Sequence, residues 1–596
     1  ARARYRMIIV GIAYLVVSLM QYSSKVTALR LNSQNRLAYA RRLLSSQSAS
    51  SSAHENLYPN FAFDIIKSAS DSKARLGLLK TPHGTVQTPN FIFCATRGAM
   101  KALTPEQLRA EGSQIILSNT YHMMLAPGAD LVERLGGLQK FTAWNGPMFT
   151  DSGGYQIFSM GHGTVANEIK GNRGNSMRMS DKLLLGIDEE GAVFRSYVDG
   201  SVHKLTPEKS IDIQRKLGAD LIVVLDECTP FNVEKNYTID SMRRSHRWTE
   251  RSLDEFKRTN TGKQALYGIV QGGVYQELRD ESTHFINTHD FFGTAIGGSL
   301  GNTRKGMHDI VAYTRGKVRD DRPVHLLGIG GVLDIFNGVR HGIDTFDCVA
   351  PMRLARHGGA LVMAAHWDEE IHPDCRRECD AEAESIAMRE AVKKISKEET
   401  RRRNAEARLS QIQRAADRTS HDVTPSSSSA SFNDTINSEP SMSESESDAP
   451  VNLSVECHPI FLQELAKQRK KMEHSYQRNV VSDHVKLKFR LMKHDPRPID
   501  PTCSCYTCRN FSRAYLRHCV SQGEQVGGML ISIHNAHFMN RLFKDIRDGI
   551  QNDNLDEVEA RYVHPELRAA MLAEAPTKPS AGDIATNTDD THSLIF

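Results

Sequence analysis

The stretch LIVVLDECTP, residues 221–230, combines the two features that decide the fold of this chain. An uninterrupted apolar run comes first, and Asp226 follows it directly. A short apolar run is typical of a strand that is buried on both faces, as in a parallel sheet covered by helices. An acidic residue at the carboxyl end of such a strand lies where α/β proteins place functional groups.

The same pattern recurs along residues 60 to 366, with amphipathic stretches between the runs. We expect helices there, capped for example by Thr206, with Pro207 at the first helical position, or by Asp240. Repeated strand–helix alternation predicts an α/β fold with a parallel sheet, and seven or eight units over this length favour a closed (β/α)8 TIM barrel. The other runs are SQIILSNTYH, PMFTDSGGYQ, ALYGIVQGG, TAIGGSLG, VHLLGIGG and DTFDCVAP.

Nearly every run ends in a polar residue or glycine. In a barrel these ends converge on one face, which is where active sites lie. Asp and Gly also simply terminate strands, and for a single strand that explanation suffices. Three Asp and one Gln at equivalent points favour a functional site instead. The strand-end residues are Asn119, Asp151, Asp226, Gln271, Gly298, Gly330 and Asp347.

Composition sets broad limits on the class of protein. The 596 residues are 39% apolar and 24% charged, as in a soluble globular chain long enough for more than one core. A net charge of +4 argues neither for nor against a nucleic-acid partner. Ten cysteines are too few for a disulfide scaffold and fit a reducing compartment.

Charge and composition also divide the chain into segments. The first 54 residues hold eight Lys or Arg and no acid, as in an organelle transit peptide, so we expect a mitochondrial or other organelle location, with the cytoplasm as the alternative. The apolar run 8–20 is too short to span a bilayer, but a signal-peptide core or an anchor is the rival interpretation. The predicted segments are a leader (1–58), the barrel (59–367), a charged and low-complexity insertion with a disordered centre (368–483), a zinc-binding subdomain with a closing helix (484–572) and a polar tail (573–596).

The stretch TCSCYTCRNF, residues 502–511, holds three clustered thiols at Cys503, Cys505 and Cys508. Three thiolates and one imidazole suit a closed, tetrahedral structural zinc site better than redox chemistry. Spacing alone leaves the fourth ligand open. The candidates are His518, Cys519, His534 and His537.

Two acids stand in glycine-rich or arginine-rich surroundings. Asp151 precedes Gly153 and Gly154, which let a ligand approach closely, and Tyr155 could stack on a flat ring. Asp347 is followed by two arginines suited to phosphate contacts. Paired carboxylates suggest acid/base or nucleophilic work at an anomeric carbon. Carboxylate and amide groups such as Asp226 and Gln271 can also pair with purine edges.

Seven motifs in order give the chain a specific resemblance. They are FTDSGGYQIFS, DECTP, IVQGG, AIGG, GIGG, FDCVAPMRLARHGG and DPTCSCYTCRNFSRAYLRH followed by LISIHN. Together they resemble the tRNA-guanine transglycosylases over residues 62–366 and 484–552. That family has a (β/α)8 barrel with an inserted zinc subdomain and exchanges guanine at the anticodon wobble position for a 7-deazaguanine base.

The resemblance implies roles for individual residues. Asp347 is implied as the nucleophile at the ribose C1′, and Asp151 as the group that moves protons on the bases. Base binding is implied for Ser152, Gly153, Gly154, Tyr155, Asp226, Gln271 and Gly298. Contacts with tRNA are implied for Gly328, Ile329, Gly330, Gly331, Val332, Leu333 and Asp334, and for Met352, Arg353, Leu354, Ala355 and Arg356. One structural Zn²⁺ per chain is implied on Cys503, Cys505, Cys508 and His534.

The resemblance also implies partners, and departures from the family pattern bear on the substrate. The partners are tRNA with guanine at the wobble position, the incoming base, and a second subunit in a homodimer or in a heterodimer with an accessory chain. Thr303 stands where a glutamate is common, and Gly301 where bacterial members carry a larger residue. The small residue favours queuine over its smaller precursor, although DECTP is typical of bacterial members.

Two other functions compete with this interpretation. A non-catalytic accessory subunit of the same family would also bind tRNA, but Asp151 and Asp347 stand in intact motifs. A glycoside hydrolase would use a barrel and two acids, but it gives no reason for base-reading side chains or a zinc subdomain.

Overall fold

The computed structural model describes residues 57–161, 183–229, 233–419, 458–480 and 482–573. The leader up to residue 56, the centre of the predicted insertion and most of the polar tail lie outside these ranges. No helix within them is both long and apolar enough to cross a bilayer.

Contacts divide the fold into two compact units. The first holds the described residues up to Ala350 together with Met539–Glu559. The second holds Pro351–Phe538 and Ala560–Ala570. The segment boundaries predicted from the sequence stay predictions.

The first unit opens with an antiparallel sheet of three strands, β1 (Ala62–Ser68), β2 (Arg75–Thr81) and β3 (Gly84–Thr88). Eight further strands form a closed barrel in which every neighbouring pair is parallel. They are, in chain order, β4 (Asn90–Cys94), β5 (Ile116–Ser118), β6 (Met148–Thr150), β10 (Leu221–Val223), β11 (Ala265–Val270), β12 (Gly293–Ile296), β13 (Val324–Leu326) and β14 (Thr345–Cys348). The predicted (β/α)8 barrel is confirmed.

Two smaller sheets complete the strands. The three strands β7 (Leu184–Ile187), β8 (Ala192–Arg195) and β9 (Val202–Leu205) form an antiparallel sheet between β6 and β10 in the chain. In the second unit, β15 (Gly359–Leu361) pairs with β16 (His484–Lys486).

Helices lie between the barrel strands along the chain. They are Pro105–Ala110, Thr120–Leu125, Ala129–Arg134, Leu138–Thr142, Gly154–Gly161, Pro207–Leu217, Lys235–Thr259, Gln276–Asn287, Arg304–Arg315 and Val332–Arg340. The later helices are Ala350–Arg356, Pro373–Thr419, Pro459–Val480, Tyr506–Asn510, Arg513–Gln522, Gln525–Asn552, Leu555–Tyr562 and Pro565–Leu572, with 3-10 turns at Ala364–Asp368 and Arg490–Met492.

One of the two predicted helix caps is correct. The side chain of Thr206 accepts a hydrogen bond from the backbone of Lys209, with Pro207 at the first helical position. Asp240 was the wrong prediction, because it lies within the helix Lys235–Thr259, whose N-cap residue is Glu234.

Acids also occur at the amino ends of the barrel strands, where they hold the fold together. Asp344 pairs with the Arg75 guanidinium at 2.6 Å and accepts the backbone N–H of Val324 at 2.7 Å. Asp220 accepts hydrogen bonds from Gln139 Nε2 and from the backbone of Met148, both at 2.9 Å. Because both carboxylates are fully buried and fully partnered, they serve the structure.

The second unit contains the predicted charged helix as Pro373–Thr419. Its first half packs on the helix Pro459–Val480 through a small apolar cluster of Ala387, Ala391 and Phe461. Residues 396–415 are exposed throughout.

Candidate active site and metal site

The carboxyl ends of the barrel strands bring the predicted catalytic and base-binding residues together. Asp151 follows β6 directly, Gln271 follows β11 directly, and Asp347 lies in β14 itself. Asp226 and Gly298 come within three residues of the ends of β10 and β12. All five belong to the first compact unit, and their convergence follows from the parallel barrel.

Asp151 is held rigidly from the neighbouring strand end. The backbone N–H of Thr120 donates to Oδ1 at 2.8 Å, and the Asn119 side-chain amide donates to Oδ2. Burial raises the pKa of Asp151 to about 7, the negative charge of Asp347 adds to the rise, and the Thr120 hydrogen bond opposes it. A carboxyl group with this pKa can give up and regain a proton near neutral pH.

Asp347 presents one oxygen to donors and leaves the other nearly free. Oδ1 accepts the backbone N–H of Gly328 at 2.9 Å. Oδ2 has the thiol of Cys94 at 3.6 Å, a weak donor. The residue is 9% exposed, so the carboxylate is accessible to a substrate without being solvated like a surface acid.

Asp226 and Gln271 form a linked pair beside these acids. The Gln271 side-chain amide donates to Asp226 Oδ2, and Ser152 Oγ lies 3.4 Å from Oδ1. Burial raises the pKa of Asp226 to about 6, against the hydrogen bond from Gln271. Gly298 has a positive φ of 76°, and a Cβ there would lie 2.3 Å from Gln271 Oε1, so only glycine fits.

Tyr155 stands at the edge of this pair with its side chain open to a ligand. It lies at the start of the helix Gly154–Gly161 and is 43% exposed, whereas aromatic side chains within the barrel strands, such as Phe149 and Tyr267, are buried. A Cβ at Gly154 would lie 2.7 Å from the backbone oxygen of Asp226, so this glycine permits the close approach. An exposed ring beside amide and carboxyl groups suits a planar heterocycle.

The sequence did not indicate the residue that fixes the loops beside Gln271 and Gly298. Arg279 is fully buried, and its guanidinium donates to the backbone oxygens of Gly273 at 2.8 Å, Gly297 at 2.9 Å and Val270 at 3.1 Å. It therefore ties the end of β11 to the loop that contains Gly298. In the sequence Asn119 is recognisable only as a strand end, and Arg279 lies in a helix, where a lone arginine gives no signal.

The predicted tRNA segment Gly328–Asp334 borders a small surface hollow whose lining also includes Gly301, Thr303 and Arg304. The Asp334 carboxylate is directed away from solvent, with His308 Nε2 at 2.8 Å and Arg304 Nε at 3.3 Å from Oδ1. The side chains of Val332 and Leu333 are buried, so the backbone and the glycines form the accessible part of this segment.

The other predicted tRNA segment, Met352–Arg356, belongs to the second unit. Met352 and Ala355 are buried, whereas Arg353 and Arg356 are partly exposed. Burial lowers the pKa of Arg356, and the nearby charge of Arg353 lowers it further. Two neighbouring arginines with partly open side chains are suited to an anionic partner.

The second unit also contains the predicted metal cluster. Cys503, Cys505, Cys508 and His534 are all buried, and their ligand atoms lie within 4.8 Å of one another. The three sulfur atoms are 3.7, 3.7 and 3.3 Å from His534 Nδ1. Tetrahedral zinc with ordinary bond lengths places sulfur and nitrogen ligands about 3.5 Å apart, so the residues fit such an ion.

A further contact orients the histidine of this cluster. His534 Nε2 lies 2.8 Å from the backbone oxygen of Leu361, so Nε2 carries the proton and Nδ1 turns its lone pair towards the thiols. His537 is not part of the cluster, since its Nε2 is 3.4 Å from Ser504 Oγ. The cluster can therefore hold a metal ion such as zinc through His534.

Fold and site together define a class of (β/α)8 barrel proteins with paired acids, a carboxyl–amide pair and an exposed aromatic ring at the carboxyl ends of the strands, and a separate Cys3His metal site. Comparison with known proteins narrows this class. The family model described as queuine tRNA-ribosyltransferase matches residues 70–403 and 462–566. The chain belongs to the queuine tRNA-ribosyltransferase family.

Individual relatives agree with the family model. The queuine tRNA-ribosyltransferase of Roseiflexus sp. (strain RS-1) is 34% identical over 520 residues, which cover 86% of this chain and 99% of the relative. Those of Thermoanaerobacter sp. (strain X514) and Azoarcus sp. (strain BH72) are both 33% identical, over 84% and 82% of this chain and 96% and 95% of the relatives.

Proposed function

We propose that the protein is a tRNA-guanine transglycosylase that exchanges guanine at the anticodon wobble position of tRNA for queuine. The observation that carries this proposal is the meeting of Asp347 and Asp151 with the Asp226–Gln271 pair at one end of the barrel. A nucleophile, a proton carrier and a pair of groups that can hold the base edge are the three parts that base exchange requires. Membership of the family supports the same reaction.

The first half-reaction uses the two acids in different states. Oδ2 of ionised Asp347, which faces only the weak Cys94 donor, attacks C1′ of the ribose, and the bond from C1′ to N9 of guanine breaks with its electron pair going to guanine. The protonated carboxyl of Asp151 gives its proton to the departing base. Its pKa of about 7 keeps a large fraction protonated at neutral pH.

The second half-reaction reverses these roles. The incoming base gives a proton to the Asp151 carboxylate and attacks C1′, and Asp347 leaves as a carboxylate. Meanwhile Asp226 and Gln271 hold the base edge and Tyr155 covers one face of the ring. No proton or electron is gained or lost over the full cycle.

The metal cluster serves the second unit rather than the chemistry. We propose that its ion is zinc, since three thiols and one imidazole match that metal, and a closed Cys3His set leaves no position for substrate. The ion when bound neutralises the clustered thiolates and ties the 502–511 loop to the helix that carries His534. The arginines of Met352–Arg356 and the backbone of Gly328–Asp334 contact tRNA.

The choice of queuine over its smaller precursor depends on the hollow beside Gly328. Gly301 forms part of its wall and has a positive φ of 114°, which a larger residue rarely adopts. The absence of a side chain at Gly301 favours the bulkier base.

A base-exchange assay tests the proposed function directly. Wild-type protein should incorporate radiolabelled guanine into tRNA with guanine at the wobble position, and tRNA lacking that guanine should stay unlabelled. Asp347→Asn should abolish incorporation, while Asp240→Asn on an exposed helix face should match wild type. Absence of wild-type exchange, or exchange by Asp347→Asn, would refute the proposal.

A competition assay tests the choice of base. When queuine and the precursor are offered together, the protein should use queuine at least tenfold faster. Gly301→Val, which narrows the hollow, should reduce use of queuine more than exchange of guanine. Preferential use of the precursor by wild type would contradict the assignment.

We also propose that two subunits act on one tRNA and that residues 1–58 direct the protein to an organelle. Sedimentation of the tRNA complex should give two chains per tRNA, counting an accessory chain if one is needed.

A fluorescent reporter fused to residues 1–58 should enter mitochondria or another organelle, and a diffuse cytoplasmic signal would contradict the targeting role.

A further inference from the structure

A histidine with no part in the reaction described so far lies directly beneath Asp347. His325 is in β13, is 0% exposed, and its backbone pairs with Thr345 of the neighbouring strand β14. Asp347 is two residues beyond Thr345, and side chains two apart on a strand point to the same side. His325, Thr345 and Asp347 therefore share the interior of the barrel.

The contacts of the imidazole ring fix where its proton lies. Nδ1 is 2.9 Å from Thr345 Oγ1, and Nε2 is 3.2 Å from Asp347 Oδ1. The Thr345 hydroxyl can donate to Nδ1, which places the proton on Nε2, beside a carboxylate oxygen that only accepts. Phe149 packs edge-to-face on the ring at 4.9 Å and keeps it from turning away.

The contact between Nε2 and Oδ1 has the distance of a hydrogen bond but is bent away from the ideal line. Within the part of the chain that the structure describes, Nε2 has no better partner. A buried N–H without a good acceptor is costly, so the bond has reason to straighten. Catalytic hydrogen bonds often tighten only when substrate binds.

The donors around Asp347 are unevenly divided between its two oxygens. Oδ1 faces both the Gly328 N–H at 2.9 Å and His325 Nε2. Oδ2 faces only the Cys94 thiol at 3.6 Å. The Gly328 N–H holds the carboxylate by Oδ1, His325 Nε2 lies within reach of the same oxygen, and Oδ2 is left as the more nucleophilic atom.

We infer that His325 is a positioning residue for the nucleophile: with the Gly328 N–H it holds Asp347 by Oδ1, so that Oδ2 makes the bond to C1′. This inference rests on the proposed function. When the ester forms, Oδ1 becomes its carbonyl oxygen. When the incoming base displaces the ester, the electron pair returns to the carboxylate, and Nε2–H stabilises the charge that reappears. Thr345 acts one step further back by keeping the proton on Nε2.

A series of four variants tests this arrangement. His325→Phe keeps the ring packing on Phe149 but removes the donor, and His325→Gln offers an amide N–H in its place. Thr345→Val removes the hydroxyl that sets the tautomer. The control is Thr294→Val on the adjacent strand β12, because Thr294 Oγ1 is buried and has no hydrogen-bond partner among the described residues.

We expect His325→Phe to lower kcat for guanine exchange about 10- to 100-fold, the usual cost of one hydrogen bond to a charged group, with KM for tRNA within about twofold. His325→Gln should recover most of this loss. Thr345→Val should lower kcat in the wild-type background and have no further effect in either His325 variant, because no imidazole tautomer remains to be set. Thr294→Val should match wild type.

Three outcomes would overturn the inference. They are a His325→Phe variant whose kcat stays within twofold of wild type, a loss that appears in KM for tRNA alone, and a Thr345→Val effect of equal size in the wild-type and His325→Gln backgrounds. If His325→Phe fails to fold, the inference can still be tested by comparing the effect of Thr345→Val on kcat in the wild-type and His325→Gln backgrounds. Failure of the proposed function itself looks different, because wild-type protein would then exchange no guanine.

Discussion

At the scale of single residues, the acids and amides at the strand ends are held by donors from elsewhere in the barrel: the Thr120 N–H holds Asp151, and Arg279 ties the end of β11 to the loop of Gly298. Asp151, Asp226 and Gln271 follow apolar strands, and that position could be read from the chain. Arg279 and Thr120 could not be identified in this way, because their roles depend on backbone oxygens and carboxylates that only the closed barrel brings near. An acid that ends a strand can be recognised from the sequence, whereas the donors that hold it can be identified only from the tertiary structure.

The raised pKa of Asp151 predicts opposite pH dependences for the two half-reactions. The acid form is lost as pH rises through about 7, so single-turnover formation of the covalent tRNA complex should slow about tenfold per pH unit above that value. Release of the complex by an incoming base needs the carboxylate, so its rate should fall as pH drops below about 7. Rapid-quench measurements of each half-reaction from pH 5 to 9 give both profiles.

Asp151→Asn is the control for these profiles. It should lower both rates by about 10²- to 10⁴-fold and remove the inflection near pH 7. An inflection near pH 6 can remain, since burial raises the pKa of Asp226 to about 6. An unchanged inflection near 7 in Asp151→Asn would assign the proton transfer to another group.

At the scale of strands and helices, local pattern was enough for most of the barrel. All seven predicted apolar runs contain a barrel strand. The remaining barrel strand, β4 (Asn90–Cys94), is not among the predicted runs. It pairs with β14 and closes the barrel. The antiparallel strands β7 to β9 also escaped notice, because their partly exposed side chains interrupt the apolar run that marks a buried strand.

Helix capping gives a stability test with a built-in control. Thr206→Ala removes the side-chain acceptor for the Lys209 N–H and should lower the free energy of unfolding by about 1 kcal/mol. Asp240→Ala changes an exposed residue within a helix and should stay within about 0.5 kcal/mol of wild type. Urea unfolding followed by circular dichroism measures both, and equal effects would contradict the assignment of the cap.

Because the metal cluster lies in the second unit, we expect metal removal to destabilise the structure locally and not throughout the protein. Wild-type protein should carry one zinc per chain by elemental analysis, and Cys508→Ser should carry much less. Hydrogen exchange should then rise in peptides covering residues 502–538 and stay unchanged in β11 and β12.

Cys519→Ser is the matched control for that experiment. Cys519 is buried close by in the sequence but lies outside the cluster, so its loss should leave the zinc content unchanged. Full zinc in Cys508→Ser, or loss of zinc in Cys519→Ser, would show that the ligands are wrongly assigned.

At the scale of the whole molecule, the family match and the structure separate conserved architecture from added length. The family model leaves residues 404–461 unmatched, and residues 396–415 of the long helix are exposed throughout. The paired helices pack through Ala387, Ala391 and Phe461. The sequence predicted a charged helix here, but it could not show which half of the helix is packed.

This arrangement predicts that part of the added length is dispensable for exchange. Residues 404–457 should be replaceable by a Gly/Ser linker of about eight residues. The helix extends roughly 18 Å beyond Ala391 before residue 404, and the linker must cover that distance to return to Phe461. Phe461 and every strand-end residue of the site are retained, so guanine exchange should stay within about twofold of wild type. A loss of exchange with normal folding would assign these residues a part in tRNA binding.

The most direct test of the central claim is the identity of the residue that becomes attached to tRNA. Wild-type protein should be mixed with tRNA, denatured in acid during turnover and digested, and the ribosylated peptide identified by mass spectrometry. We expect a single adduct on Asp347, formed with release of one guanine and absent from Asp347→Asn. An adduct on another residue, or continued exchange in Asp347→Asn, would contradict it.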